Sequence, residues 1–140
     1  MGPWVENDGA YRALVAVCAI DVHTPGAYIL MVIIETPQFS RQVRSLLSDE
    51  GYRSLQSALV SEPTQGVVIP GTGGLRKIRW AVEGRGKRGG VRVIYFARLS
   101  TGHILMLYCH AKNDMSQLTR DQLRRLSAVA ASALPGDPDA

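Results

Sequence analysis

Two cysteines and three histidines are all the thiol and imidazole metal ligands that this chain of 140 residues offers. Cys18 and Cys109 lack a CxxC or any other paired spacing, and the histidines are scattered, so the sequence carries neither a disulfide framework nor a metal-ligand pattern. A reduced, cytoplasmic setting is the default expectation. Long apolar runs are also lacking. The run ALVAVCAI at 13–20 is far too short to cross a bilayer. Glu6 and Asp8 precede it where a secretory signal would carry positive charge, and Asp21 closes it. There is no internal repeat and no low-complexity tract, and 46% hydrophobic with 20% charged residues excludes a disordered class. The length fits one domain with a modest core.

Acidic residues are scarce in one place. Between positions 76 and 92 stand Arg76, Lys77, Arg79, Arg85, Lys87, Arg88 and Arg92, seven of the sixteen Lys and Arg, opposed only by Glu83. The first thirty residues carry a formal charge of −2 (one Arg against three acids), and the remainder +6 (15 against 9). The placement of the charge, more than the total of +4, points to a polyanionic partner. From Leu75 to Val82 the alternation is clean. Lys77 and Arg79 point to one face of a strand, and Ile78, Trp80 and Val82 to the other, against a core. If Val91 to Leu99 is the antiparallel partner across a glycine-rich turn, Arg92 lies beside Arg79 or Trp80, about 5 Å away. Cations held that close repel unless an anion joins them.

Residues 1–30 read as an extension, with Met31 a candidate translation start; the competing reading is an extra strand or helix capping the domain. MVIIE makes a good first strand. Phe39, Val43, Leu46 and Leu47 recur at helical spacing behind Pro37, and Ser48, Asp49 and Glu50 open a second helix that Pro63 stops. Residues 64–74, rich in glycine and proline, read as loop. Val91–Leu99 and His103–Cys109, joined by Ser100, Thr101 and Gly102, read as a hairpin of central strands. Thr119 and Gln122 form a capping box, with Leu118 and Leu123 as its staple, for a last helix that Pro135 ends. The tail 135–140 is expected to be loose. The predicted order is β-α-α-β-β-β-α, an α+β domain over 31–134 with a small antiparallel sheet packed by a helical hairpin and a C-terminal helix.

ETPQF at 35–39, GTGGLRKIRW at 71–80, GRGKRGGVRVIYF at 84–96 and AKND at 111–114 together resemble the RelE/ParE toxin superfamily, most closely its HigB branch. The resemblance implies a toxin of a toxin–antitoxin pair that cuts messenger RNA on the ribosome and is silenced by a HigA-like helix-turn-helix antitoxin. DNA would then be met only through the antitoxin. It implies attack by the RNA's own 2′-hydroxyl on the neighbouring phosphate, with no metal and no cofactor. By matching position, Lys77, Arg79 and Arg92 are the expected catalytic cations, and Lys112 lies where relatives place another. His110 departs from the family, which commonly has tyrosine there; it is a candidate general acid or base or a structural strand-end residue. Arg76, Arg85, Lys87, Arg88 and Asn113 are expected to hold RNA or ribosome backbone. Two other functions stay open: a ParE-like gyrase poison without nuclease activity, and an inactive toxin that only binds its antitoxin.

Overall fold

The computed structural model describes residues 11–19, 28–82, 90–111 and 118–133. The element order is β1 (Arg12–Ala19), β2 (Tyr28–Glu35), α1 (Pro37–Leu46), α2 (Asp49–Ser61), β3 (Val67–Val68), β4 (Arg76–Trp80), β5 (Val91–Arg98), β6 (His103–Ala111) and α3 (Arg120–Ala133). The strands form one sheet in the order β1-β2-β6-β5-β4-β3. The α+β class and the helical hairpin are as expected, but the sheet is mixed, because β2 runs parallel to β6 from Val32↔His103 to Glu35↔Met106. Two strands were not anticipated in the predicted order. β1 lies antiparallel along the whole of β2, from Arg12↔Glu35 to Ala19↔Tyr28, so part of the expected extension belongs to the sheet. β3, two residues long, pairs with β4 inside the segment read as loop.

Alternation divides the core into two layers. Val91, Val93 and Tyr95 of β5 join Ile78, Met106 and Cys109 under Phe39, Val43, Leu55 and Leu59 of the helical hairpin. Ile94 instead joins Leu75, Leu105 and Leu107 under Leu126 and Ala130 of α3. One irregularity, between Ile94 and Tyr95, puts Ile94 against Tyr108 and Tyr95 against Met106. Leu107 is thereby skipped, and Leu105, Leu107 and Tyr108 can all meet the α3 layer. The β5–β6 turn closes through Gly102 at φ 72°, a conformation that favours glycine.

Local signals set the helix starts. The Thr36 hydroxyl accepts from the Phe39 amide at 3.1 Å with Pro37 in the first turn, and Ser48 accepts from the Gly51 amide at 3.0 Å. Thr119 and Gln122 exchange the two bonds of a capping box at 2.8 and 3.2 Å. The hairpin is then tied to the sheet by a buried carboxylate. Glu35, 2% exposed, accepts from the Ser40 hydroxyl of α1 at 2.6 Å and from the Tyr52 hydroxyl of α2 at 2.5 Å. Burial, reinforced by the Glu35 charge, raises the Tyr52 pKa so that the phenol stays a donor.

Replacing Tyr52 by Phe should cost about 2 kcal/mol, the worth of a buried bond to a charged acceptor. The loss is read as a lower urea midpoint at unchanged slope. Burial and then the Glu35 charge push the Cys109 thiol up to about 12 from an ordinary 9.0. The folded state therefore keeps a proton that the unfolded chain releases, a contribution complete below pH 9 and lost as pH rises toward 12. Urea midpoints at pH 8 and 10 should fall more steeply for the wild type than for Cys109→Ala.

Candidate functional site

The face that β4, β5 and β6 turn away from the helical hairpin carries two cross-strand rows. Arg79 pairs with Arg92 and Arg92 with His110; one step along, Lys77 pairs with Ile94 and Ile94 with Tyr108. Cross-strand partners share a face, so Lys77, Arg79, Arg92 and His110 are brought together. The alternation that sends these four outward sends Ile78 and Trp80 into the hairpin layer.

Arg92 sits deepest of the three cations, at 9% exposure, whereas Arg79 at the sheet's outer side is exposed. Burial first and the neighbouring Arg79 charge second lower the Arg92 pKa. Among the described residues no carboxylate pairs with either guanidinium. Gly90 makes room for this arrangement: a Cβ there would stand 2.9 Å from the Trp80 carbonyl and 3.3 Å from an Arg92 guanidinium nitrogen.

His110 is also 9% exposed. Its Nδ1 lies 3.0 Å from the Ala111 carbonyl, which can only accept, so Nδ1 donates and Nε2 is the ring nitrogen left for other partners. Its ring is 5.8 Å from that of Tyr108, tilted by 49°. A cavity of about 180 Å³ is lined by Lys77 and His110 together with Ile69, Ile94, Leu118 and Leu123. Lys77 and His110 thus border a hollow walled by Leu118 and Leu123 at the start of α3. A larger hollow, about 600 Å³, opens between the start of α2 and the end of β4. Among the described residues it is lined by Glu50 with Leu47, Ser48, Trp80 and Val82 and by no cation.

Arg76 does not join the cluster. It faces the hairpin side, opposite Tyr95, and its guanidinium donates to the Thr64 and Gly66 carbonyls at 3.0 and 2.8 Å. Arg85, Lys87, Arg88, Lys112 and Asn113 lie outside the described residues. Sequence reasoning had not brought in the apolar wall from α3, although the staple pair Leu118 and Leu123 was its signal.

The quoted motifs acquire structural meaning here. ETPQF supplies the buried Glu35, the Thr36 cap, the first-turn proline and the core residue Phe39. In GTGGLRKIRW, Thr72 donates to the Ile69 carbonyl and accepts from the Leu75 amide, while its own carbonyl takes the Ser127 hydroxyl of α3 at 2.8 Å. A family model described as the RelE toxin of the RelE/RelB toxin–antitoxin system matches residues 31–136. The chain belongs to the RelE toxin family. Its members are generally messenger-RNA-cleaving toxins with an antitoxin partner. The match begins at Met31, leaving β1 and the first three residues of β2 outside it. No helix among the described residues of this RelE family member is long and apolar enough to cross a membrane.

A buried guanidinium with no carboxylate partner among the described residues should gain from a bound anion. Sulfate or phosphate should therefore raise the melting temperature of the wild type. In Arg92→Met that rise should vanish, and the variant should be more stable by about 1 kcal/mol in anion-poor buffer, since a buried charge beside the like charge of Arg79 has been replaced by an apolar side chain.

Proposed function

We propose that this RelE family member is a ribosome-dependent endoribonuclease of the HigB type, acting on messenger RNA through its β4–β5–β6 face and silenced by a HigA-like antitoxin. The observation that carries this reading is Arg92, nine-tenths buried beside Arg79 with no carboxylate partner among the described residues. Such a pair suits a phosphodiester, whose oxygens gain negative charge as the neighbouring 2′-hydroxyl attacks. Arg92 and Arg79 hold the phosphate. Lys77 and His110, which border one cavity, move the protons between the attacking and leaving oxygens. Arginine charge at the phosphate performs the stabilisation that a metal ion gives in other nucleases.

Lys112 and Asn113 would follow β6 and reach the same RNA. Arg85, Lys87 and Arg88 would hold ribosomal RNA backbone beyond the site, with the toxin domain spanning 31–134 and the protein working in the cytoplasm.

Induced expression should arrest translation and leave transcripts cut to 2′,3′-cyclic phosphate and 5′-hydroxyl ends, with purified toxin and ribosomes insensitive to chelator. Intact transcripts with arrested supercoiling would assign the protein to the gyrase poisons instead. Arg92→Ala should abolish cleavage while keeping a cooperative fold, and Lys77→Ala should lower the cleavage rate more than ribosome binding. Arg88→Ala should weaken binding, with a shallower dependence on salt. Equal salt slopes for Lys77→Ala and Arg88→Ala would refute that division of labour.

A further inference from the structure

β6 carries His110, yet among the described residues half of its length has no strand on one side. The parallel pairing with β2 ends at Glu35↔Met106, because the chain turns there into α1, while β5 continues to pair with β6 as far as Ala111. An open strand edge leaves backbone donors and acceptors without partners, and within a packed domain these must be met by something else. Here α1 and its cap meet three of them. The Thr36 amide donates to the Met106 carbonyl at 3.1 Å, and the Thr36 hydroxyl donates to the Leu107 carbonyl at 3.1 Å. Two residues on, the Cys109 amide donates to Oε1 of Gln42 at 3.0 Å. Leu107 and Cys109 are two apart on one strand, so these bonds continue along the edge that β2 has left.

We infer that Gln42 is a positioning residue for the cation face, its side-chain oxygen replacing the strand that β6 lacks and so fixing His110 opposite Arg92. This rests on the reading of that face as the RNA-cleaving site. Thr36 is committed to capping α1 as well as to Leu107, whereas the described side-chain bond of Gln42 is the one to Cys109. Gln42 reaches β6 from the hairpin side, and His110, the next residue, projects to the opposite face. The bond therefore acts through the backbone without touching substrate. A reacting group displaced by an ångström loses much of its rate, so a loosened Cys109 amide should show in turnover more than in binding.

The test compares Gln42→Met, which keeps length and helix propensity but removes the acceptor, with Gln42→Glu, which retains an oxygen. Amide hydrogen exchange at Cys109 and the kinetics of message cleavage on ribosomes are measured for both and for the wild type. In Gln42→Met, exchange at Cys109 should quicken and kcat should fall about tenfold with KM little changed. Gln42→Glu should recover both. Unchanged exchange in Gln42→Met, quickened exchange with unchanged kcat, or a Gln42→Glu as slow as Gln42→Met would each overturn the inference. A wild-type protein that cleaves no message overturns the functional reading itself, and this inference with it. An active wild type with an equally active Gln42→Met overturns this inference alone.

Discussion

The register of β4, β5 and β6 is the constraint on which the candidate site depends. It places Ile78 against Val93 and Val93 against Cys109 under the helical hairpin, and in the same stroke places Arg79 against Arg92 and Arg92 against His110 on the other side. Strand side chains alternate with period two, so a slip of one residue in β4 would turn Lys77 and Arg79 into the core and Ile78 out to water. The apolar packing of Ile78, Val93 and Tyr95 thus selects the arrangement of the cations, none of which needs to favour it. Repulsion between Arg79 and Arg92 opposes this register, and the buried core overrides it.

Much of this was readable from the sequence where the signals are local. The alternation LRKIRW separated Lys77 and Arg79 from Ile78 and Trp80, and the capping box at Thr119 and Gln122 formed as its spacing required. Non-local features were harder to read. The run at 13–20 is apolar at successive positions, which does not distinguish strand from helix; its partner β2 decides the matter by offering a free edge from Tyr28 to Glu35. Without β1 that edge of β2 would be open, which is a physical reason for the run to join the sheet. β3 is two residues in a glycine-rich stretch, below any periodicity, and exists because Val67 and Val68 fall beside Lys77 and Arg76. The Leu107 irregularity and the reach of Gln42 to Cys109 left no pattern in the sequence, since both depend on elements far apart in the chain. Arg76 was grouped with the other cations by proximity alone; odd and even positions on β4 separate it, and loop carbonyls occupy its guanidinium.

Two buried ionisable groups lie on opposite sides of this sheet, and their different treatment separates scaffold from site. Glu35 receives hydroxyls from both helices of the hairpin, so its desolvation is offset and it serves as a fixed joint among β2, α1 and α2. Arg92 receives no carboxylate among the described residues and has Arg79 for a neighbour, so its desolvation is compounded. If Arg92 served only stability, an apolar side chain on β5 would serve better. A guanidinium kept there, in a wall shared with Arg79 and His110 and with no carboxylate among the described residues, would gain from a negatively charged group. Under the proposed function, cost in the free protein and gain in the complex would be one interaction seen in two states, as transition-state stabilisation of a phosphate requires. The joint at Glu35 ties α1 to β2, and from α1 the Gln42 bond reaches β6 on the side opposite His110.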